Sequence, residues 1–338
     1  FTENHFEKAV LEVLQEYDYE VLSSGEVTRD YRNPLYIDAL EESLFRLNRE
    51  LPAAAVEEAI RRLQSLDAGT LIQKNKQFTD WLQSGMEVTF EEGSETVTRL
   101  VKLVDYDDVG SNSFTVINQW TVQGATGAIK RPDIVVFVNG LPLVVVELKS
   151  GSRDEVSTTD AYLQLRNYMQ VIPELFWYNG FCIISDMTRS MAGTISSSES
   201  RFMEWKTVDG SYEETAIATW DTLFHGMLEP GRLLDILRNF ILFMRETPDI
   251  KILAAYHQYY AVKKAVEATV RATETDGRAG VFWHTQGSGK SLSMVFYTKQ
   301  LQERLKSPTF VVITDRNDLD NQLFGQFAAC DEFLRQTP

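Results

Sequence analysis

The stretch that most restricts what this chain can fold into is residues 131–150, RPDIVVFVNGLPLVVVELKS. Two apolar runs rich in β-branched residues flank Asn139-Gly140, a pair suited to a tight turn with positive φ, so the segment reads as a β-hairpin. Asp133 opens the first run; Glu147 and Lys149 close the second. At a spacing of two, Glu147 and Lys149 lie on one face of a strand, on either side of Leu148. Where Asp133 sits depends on the turn. A two-residue loop pairs Val138 with Leu141 and Asp133 with Val146, leaving Glu147 on the opposite face. A three-residue loop, or a bulge at Pro142, which has no N–H for a ladder, pairs Asp133 with Glu147. The second arrangement is expected, because only it gathers the polar ends of an otherwise apolar hairpin.

Two carboxylates and an ammonium at the open end of a hairpin suit Mg²⁺, a hard cation that takes few protein ligands and keeps water in the rest of its shell. Asp133 and Glu147 would hold the metal, which acidifies a bound water and neutralises charge on a phosphodiester oxygen. Lys149 would orient or deprotonate the attacking water and stabilise the pentavalent state. The alternative is plain: the two acids cap a hairpin at the solvent and Lys149 pairs with them. The bare spacing recurs by chance; the apolar sequence between the acids and the motifs downstream of Lys149 favour the metal.

A second constellation lies at residues 280–314. The pattern predicts one βαβ unit: a strand at 281–284, a loop, a helix at 290–305 and a strand at 309–314. The loop is TQGSGKS, Thr285, Gln286, Gly287, Ser288, Gly289, Lys290 and Ser291. Backbone N–H groups there can cradle a β-phosphate at the positive end of the helix. Lys290 would reach the β/γ oxygens of ATP, and the Ser291 hydroxyl would ligate Mg²⁺. His284 stands where the general pattern has glycine.

The hairpin resembles the metal-dependent nuclease motif of the PD-(D/E)xK superfamily, and its Asn-Gly-x-Pro turn resembles the restriction subunit of type I restriction–modification enzymes. QLRNY at 164–168 resembles the Q-x-x-x-Y element of that family and of RecB-like nucleases, in which Gln164 and Tyr168 would contact DNA or brace the metal ligands. First-helix glutamates often stand beside the metal in this superfamily, which offers Glu7 that role; the residues alone offer Asn4 as an N-cap with Glu7 completing a capping box. The phosphate loop resembles superfamily-two helicase motors, where histidine at the position of His284 is common. Gln258 resembles their adenine-reading glutamine, with a surface glutamine as the alternative. TDRNDLDNQL resembles the motor motif that grips one DNA strand, through Arg316 and Gln322.

The resemblance runs through nearly the whole chain. It implies an α/β protein: a PD-(D/E)xK-type nuclease domain at 1–245, a mixed sheet flanked by helices, and then the start of a RecA-like motor at 246–338. It implies cleavage of double-stranded DNA with Mg²⁺, ATP-driven translocation, specificity and methyltransferase subunits as partners, and a bacterial or archaeal cytoplasm. The Asp-Glu pair and arginine finger of the motor are expected beyond Pro338. The chain is therefore expected to be part of a longer protein that binds ATP weakly and does not turn it over. A P-loop ATPase with a non-catalytic N-terminal domain, and a docking module with no chemistry, stand as rivals.

Composition fits. At 338 residues, with 43% hydrophobic and 11% aromatic content, the chain suits two globular domains. No apolar run reaches membrane-spanning length and the N-terminus lacks a signal pattern. Cys182 and Cys330 sit in apolar contexts, consistent with a reducing compartment. The net charge of −16 is uneven: 251–308 carries nine Lys/Arg against four Asp/Glu, 309–338 two against five, and 1–250 the remaining acidic excess. So acidic a nuclease module would hold duplex DNA poorly, which implies delivery by another domain or subunit; solubility is the competing explanation.

In chain order, helices are expected at 4–17, 36–50, 53–66, 74–83, 158–171, 232–244 and 254–271. Strands at 86–90, 98–106 and 113–122, with turns at Gly93 and Gly110, would join the hairpin in a sheet of about five; another strand follows at 181–185. Asn118-Gln119 and the loop from Gly124 to Gly127 offer polar groups near a phosphate path, or merely turns. Residues 193–200, GTISSSES, read as a mobile loop, and the domain boundary falls at Glu246-Thr247-Pro248.

Overall fold

A computed structural model describes residues 3–92, 95–149, 157–211, 220–306, 308–315 and 317–335. Helix α1 (Glu3–Gln15) leads into strand β1 (Glu20–Ser23), then helices α2 (Ile37–Leu47), α3 (Ala53–Gln64) and α4 (Leu71–Ser84). Thr70 caps α4 reciprocally with Gln73, and Gly85 ends it at φ 85°. Strands β2 (Met86–Glu92) and β3 (Glu95–Val101) form a separate hairpin; the turn expected at Gly93 lies outside the described residues. Next come β4 (Phe114–Asn118), the short pair β5 (Val122–Gln123) and β6 (Ile129–Lys130), and the central strands β7 (Ile134–Val138) and β8 (Leu141–Leu148). Helices α5 (Thr158–Val171) and α6 (Pro173–Phe176) carry the chain to β9 (Phe181–Ser185), β10 (Ser190–Gly193) and β11 (Met203–Glu204).

The main sheet is mixed and seven-stranded, in the order β1-β4-β7-β8-β9-β10-β11. It is wider than the five strands expected, and differently composed. It excludes β2 and β3 and gains β1, which pairs parallel to β4, and β10 and β11 beyond β9. Short strands such as EVLS and ME carry too little periodicity to be seen in sequence. Every residue of β7 and β8 is buried. One face packs on α1 to α4 through Val136, Val144, Val146 and Leu148; the other packs under α5 through Val135, Phe137 and Val145.

Apolar periodicity at 232–244 concealed a change of element. Helix α8 (Pro230–Asn239), which follows α7 (Trp220–Leu228), stops at Asn239, and ILFM becomes strand β12 (Ile241–Met244), paired with β13 (Ile250–Leu253). The Glu246-Thr247-Pro248 break is thus the turn of a hairpin. The serine-rich stretch 193–200 is not a free loop: Thr194 Oγ1 and Ser196 Oγ donate to the Lys251 carbonyl at 2.7 and 3.0 Å. Helices α9 (Tyr256–Ala272), α10 (Lys290–Arg304), α11 (Asn317–Ala329) and α12 (Asp331–Leu334) complete the described chain. The strands expected at 281–284 and 309–314 do not form, so only the helix of the βαβ unit is present. Val281 and Ile313 are 96% and 89% exposed. Neither segment has a neighbouring strand among the described residues, and a lone strand has no ladder to close. No helix of the described residues is long and apolar enough to cross a membrane.

Candidate active site

The register of β7 and β8 decides the geometry. Val138 pairs Leu141 across a two-residue Asn139-Gly140 turn, with φ of 51° and 76°, and Phe137 pairs Pro142. The ladder then slips by one, so that Val136 pairs Val144 and Ile134 pairs Val146. The extra residue is Leu143. Leu143 and Val144, consecutive in sequence, both contribute to the face against α1–α4, as a β-bulge requires. Beyond the bulge the alternation is reversed, and Glu147 shares the α5 face with Val145. Continuing the register by one step sets Asp133 opposite Glu147. The expected pairing is therefore present, produced by a bulge at Pro142–Leu143 with the two-residue turn retained.

The turn itself is locked. Asn139 is fully buried; its Oδ1 accepts from Ser113 N–H at 2.8 Å, and its Nδ2 donates to Leu103 O and Asn112 Oδ1. A Cβ on Gly140 would come within 2.4 Å of Leu40 N, so α2 abuts the turn directly. Only glycine allows both that approach and the positive φ.

At the other end of the hairpin, four strand ends and α1 converge. Asp133 is buried: Oδ2 accepts from Leu148 N–H at 2.8 Å and Oδ1 from Gln119 Nε2 at 3.3 Å. Glu147 is 2% exposed, with Lys149 Nζ donating to its Oε1 at 2.6 Å. Its other oxygen, Oε2, is buried without a hydrogen-bond partner. Burial, then the negative charge of Asp133, push the Glu147 carboxyl up to about 8, against the pull of Lys149. The Lys149 N–H is anchored on Ser185 O, at the end of β9, at 2.8 Å.

Helix α5 lies over this face. Gln164 Nε2 donates to the Tyr168 hydroxyl at 3.0 Å, and that hydroxyl donates to Arg131 O at 3.3 Å. Tyr168 is buried, and burial together with the Glu147 charge raises its phenol. The Gln164–Tyr168 pair is therefore no surface decoration; it reaches the segment that carries Asp133. Glu7 arrives from α1. Asn4 lies inside that helix, so the expected capping box does not form. The Glu7 carboxylate instead accepts from Asn118 Nδ2 at 2.6 Å and Gln119 Nε2 at 3.0 Å. Asn118 and Gln119, which in sequence offer polar groups near a phosphate path or merely a turn, are thus beside Glu7 and Asp133. Their one available signal was position, just before the hairpin.

A buried carboxylate oxygen with no partner is costly unless something else engages it. Asp133 and Glu147 on one face supply a pair of hard oxygen ligands that fits a divalent cation, whose charge would favour the ionised form of Glu147. Among the described residues no group of three or more His, Cys, Asp or Glu is placed to hold a metal. A set of two carboxylates is what Mg²⁺, with its retained waters, accepts.

The glycine-rich loop at 285–291 is assembled differently. Gly287 and Gly289 hold left-handed φ of 81° and 77° at the start of α10. Thr285, Gln286 and Gly287 are exposed, as is Lys290, whose ammonium folds back on His284 O and Thr285 O at 2.9 Å each. Ser288 and Ser291 are half-buried. Gln258 is not the surface glutamine of the alternative reading. It is buried, accepts from Ala255 N–H at 2.9 Å and donates to Gly289 O at 3.0 Å, so it joins the start of α9 to the loop. Gln322 is exposed on α11. Arg316 lies outside the described residues.

Comparison with known proteins finds a family match in each half of the chain. Residues 257–337 match the SWI2/SNF2 ATPase family. The chain is 40% identical over 99% of its length to the type I restriction enzyme HindI endonuclease subunit of Haemophilus influenzae. It is 30% identical over 96% to the putative MjaIXP endonuclease subunit of Methanocaldococcus jannaschii. In each case it spans 34% of the relative's own length, about a third. Residues 1–201, more than half of the chain, match the family described as Type I restriction enzyme R protein N terminus (HSDR_N), and the chain belongs to that family.

Proposed function

We propose that residues 1–245 form a metal-dependent endonuclease of the PD-(D/E)xK type that cuts double-stranded DNA. Residues 246–338 then form the first part of a RecA-like, ATP-driven DNA translocase. The observation that carries the nuclease reading is the bulge at Leu143, which turns Glu147 onto the face of Asp133, with Lys149 Nζ 2.6 Å from its Oε1 and the Tyr168 hydroxyl beside it. Asp133 and Glu147 would hold Mg²⁺, which when bound supplies an acidified water and charge neutralisation at a phosphate oxygen. Lys149 would donate to a non-bridging phosphate oxygen as water adds to phosphorus and the P–O3′ bond breaks, the proton lost by the water ending on the departing 3′ oxygen. Tyr168, bonded to Gln164 and to the Arg131 carbonyl, fixes the strand that presents Asp133 and closes the face under α5. Glu7, tied to Asp133 through Gln119, would brace the Asp133–Glu147 pair from α1.

For the second half, the SWI2/SNF2 match and the left-handed glycines at the start of α10 support ATP binding by residues 285–291, with Gln258 behind the loop. Arg316 and Gln322 are proposed DNA contacts. The relatives' names, those of endonuclease subunits of type I restriction enzymes, support a multisubunit enzyme. Specificity and methyltransferase partners and a prokaryotic cytoplasm come from the family resemblance, and in such a complex the acidic 1–250 region would receive DNA delivered by another part of the assembly.

The test is nicking of supercoiled plasmid with Mg²⁺ or Mn²⁺ by the subunit in its complex. Cleavage that is lost in Asp133→Ala and Lys149→Ala alike is the expected result. Cleavage that survives both returns Asp133, Glu147 and Lys149 to a structural role and leaves an ATPase with a binding domain.

A further inference from the structure

Gln119 interrupts what sequence reads as one strand. The segment SFTVINQWTV breaks after Asn118, because Gln119 sits at φ 52° in the left-handed region. A non-glycine residue there costs about 1–2 kcal/mol and persists where its surroundings fix it. They do fix it. Its backbone N–H donates to Asp133 O at 2.9 Å. Next to it Thr121 N–H donates to Ser24 Oγ at 3.2 Å, and Trp120 Nε1 donates to Pro34 O at 3.2 Å. The Arg29 guanidinium stacks 3.3 Å from the centroid of the Trp120 ring and donates to Thr121 O.

The strained turn does one thing with its side chain. A single amide nitrogen, Nε2, reaches two carboxylates from different elements: Glu7 of α1 at 3.0 Å and Asp133 ahead of β7 at 3.3 Å. With Leu148 N–H on Oδ2, both oxygens of Asp133 are held, one from the end of β4 and one from β8. Two donors at defined positions fix the plane of the carboxylate. Both are neutral, so neither competes with a cation for the charge of Asp133, as a lysine or arginine in that place would.

We infer that Gln119 is a positioning residue of the metal centre: its left-handed backbone aims one amide at Glu7 and Asp133 and thereby sets the carboxylate that faces Glu147. The inference rests on the metal reading of Asp133 and Glu147, and the test separates the two. Mn²⁺ alone is titrated into the full 338-residue chain and followed by electron paramagnetic resonance of the free ion, beside thermal unfolding without metal. In Gln119→Gly the side chain is removed and the strain relieved. The expected result is Mn²⁺ affinity lower by about 10- to 100-fold with an unfolding midpoint equal to or above that of the parent chain. Glu7→Gln, which removes the charge at the far end of the amide bridge, should combine with Gln119→Gly less than additively. Should Gln119→Gly not fold, Gln119→Asn keeps a residue that tolerates the left-handed turn but is too short to span both acids, and it is expected to show the same loss. If the parent binds, Asp133→Asn does not, and Gln119→Gly or Gln119→Asn binds as the parent does, this inference is overturned and the metal centre stands. If the parent binds no Mn²⁺, both fall.

Discussion

The hairpin site and the phosphate loop were equally legible as motifs, yet they differ in how completely this chain builds them. Around Asp133 and Glu147, neighbours come from α1, α5 and the ends of β4, β8 and β9, all within one sheet whose central strands are buried on both faces. Around Lys290 the segments before and after α10 join no sheet among the described residues, and most of their apolar residues face solvent. The difference shows that a site is only as preformed as the hydrogen-bond ladder beneath it. Side chains on a closed sheet are placed by packing, whereas a loop between unpaired segments has only its own turns to hold it.

Catalysis should give the largest separation. If residues 1–245 act as proposed, Asp133→Ala or Lys149→Ala in the full-length subunit, tested in its proposed complex, is expected to lower metal-dependent plasmid cleavage by about 10³-fold while any ATP hydrolysis by that complex continues. A parallel loss of ATP hydrolysis would mean that the two sites are not independent. Hydrogen exchange tests the ladder argument directly. Amides of 134–138 and 144–148 should exchange more slowly than those of 281–289 and 309–314 by about 10³-fold or more, since only the former require subglobal opening. Equal protection would show that the loop segments are paired after all.

Substitution of matched glycines sharpens the contrast. Gly140→Ala at φ 76° drives a Cβ to 2.4 Å from Leu40 N and should destabilise by about 2–4 kcal/mol in denaturant titration. Gly287→Ala has a similar φ of 81° but nothing within 4 Å, and should cost only about 1 kcal/mol, the backbone strain alone. A further test lies between the two regions. Lys251 on β13 is 1% exposed, and its ammonium donates to Asn75 Oδ1 at 2.8 Å, Asn179 O at 2.6 Å and Thr79 Oγ1 at 3.3 Å. Burial nevertheless pushes it down to about 7. Between that pH and 10.5 the unfolded chain binds a proton that the folded chain lacks, so stability rises with pH across this window. The slope due to this group is at most about 1.4 kcal/mol per pH unit. Lys251→Met should remove that slope; identical pH profiles for the two proteins would show that the cage keeps the lysine charged.

Long, strongly patterned elements could be read directly: α2, α3, α5, α9, α10 and the hairpin lie within a few residues of their expected positions. What escaped had a local reason. ILFM at 241–244 continues the apolar character of α8, so composition could not reveal that it pairs as a strand with β13. Gln119 breaks an apparently continuous strand because its amide has partners on α1 and ahead of β7, remote in sequence. Glu7 looked like a capping residue for the same reason: its actual partners, Asn118 and Gln119, are more than a hundred positions away.

By itself the sequence determined that residues 131–149 form a hairpin with acids at its open end, and that residues 285–291 form a glycine-rich turn before a helix. It could not decide the register. A strand that is apolar on both faces is stabilised about equally whichever face each valine takes, so the hydrophobic pattern does not pin the pairing as it would in a half-exposed sheet. The decision came from tertiary contacts: the buried bonds of Asn139, the contact of Gly140 with α2, and the bulge at Leu143. Together these fix the turn and reverse the alternation before the strand reaches Glu147, which is why the two carboxylates meet.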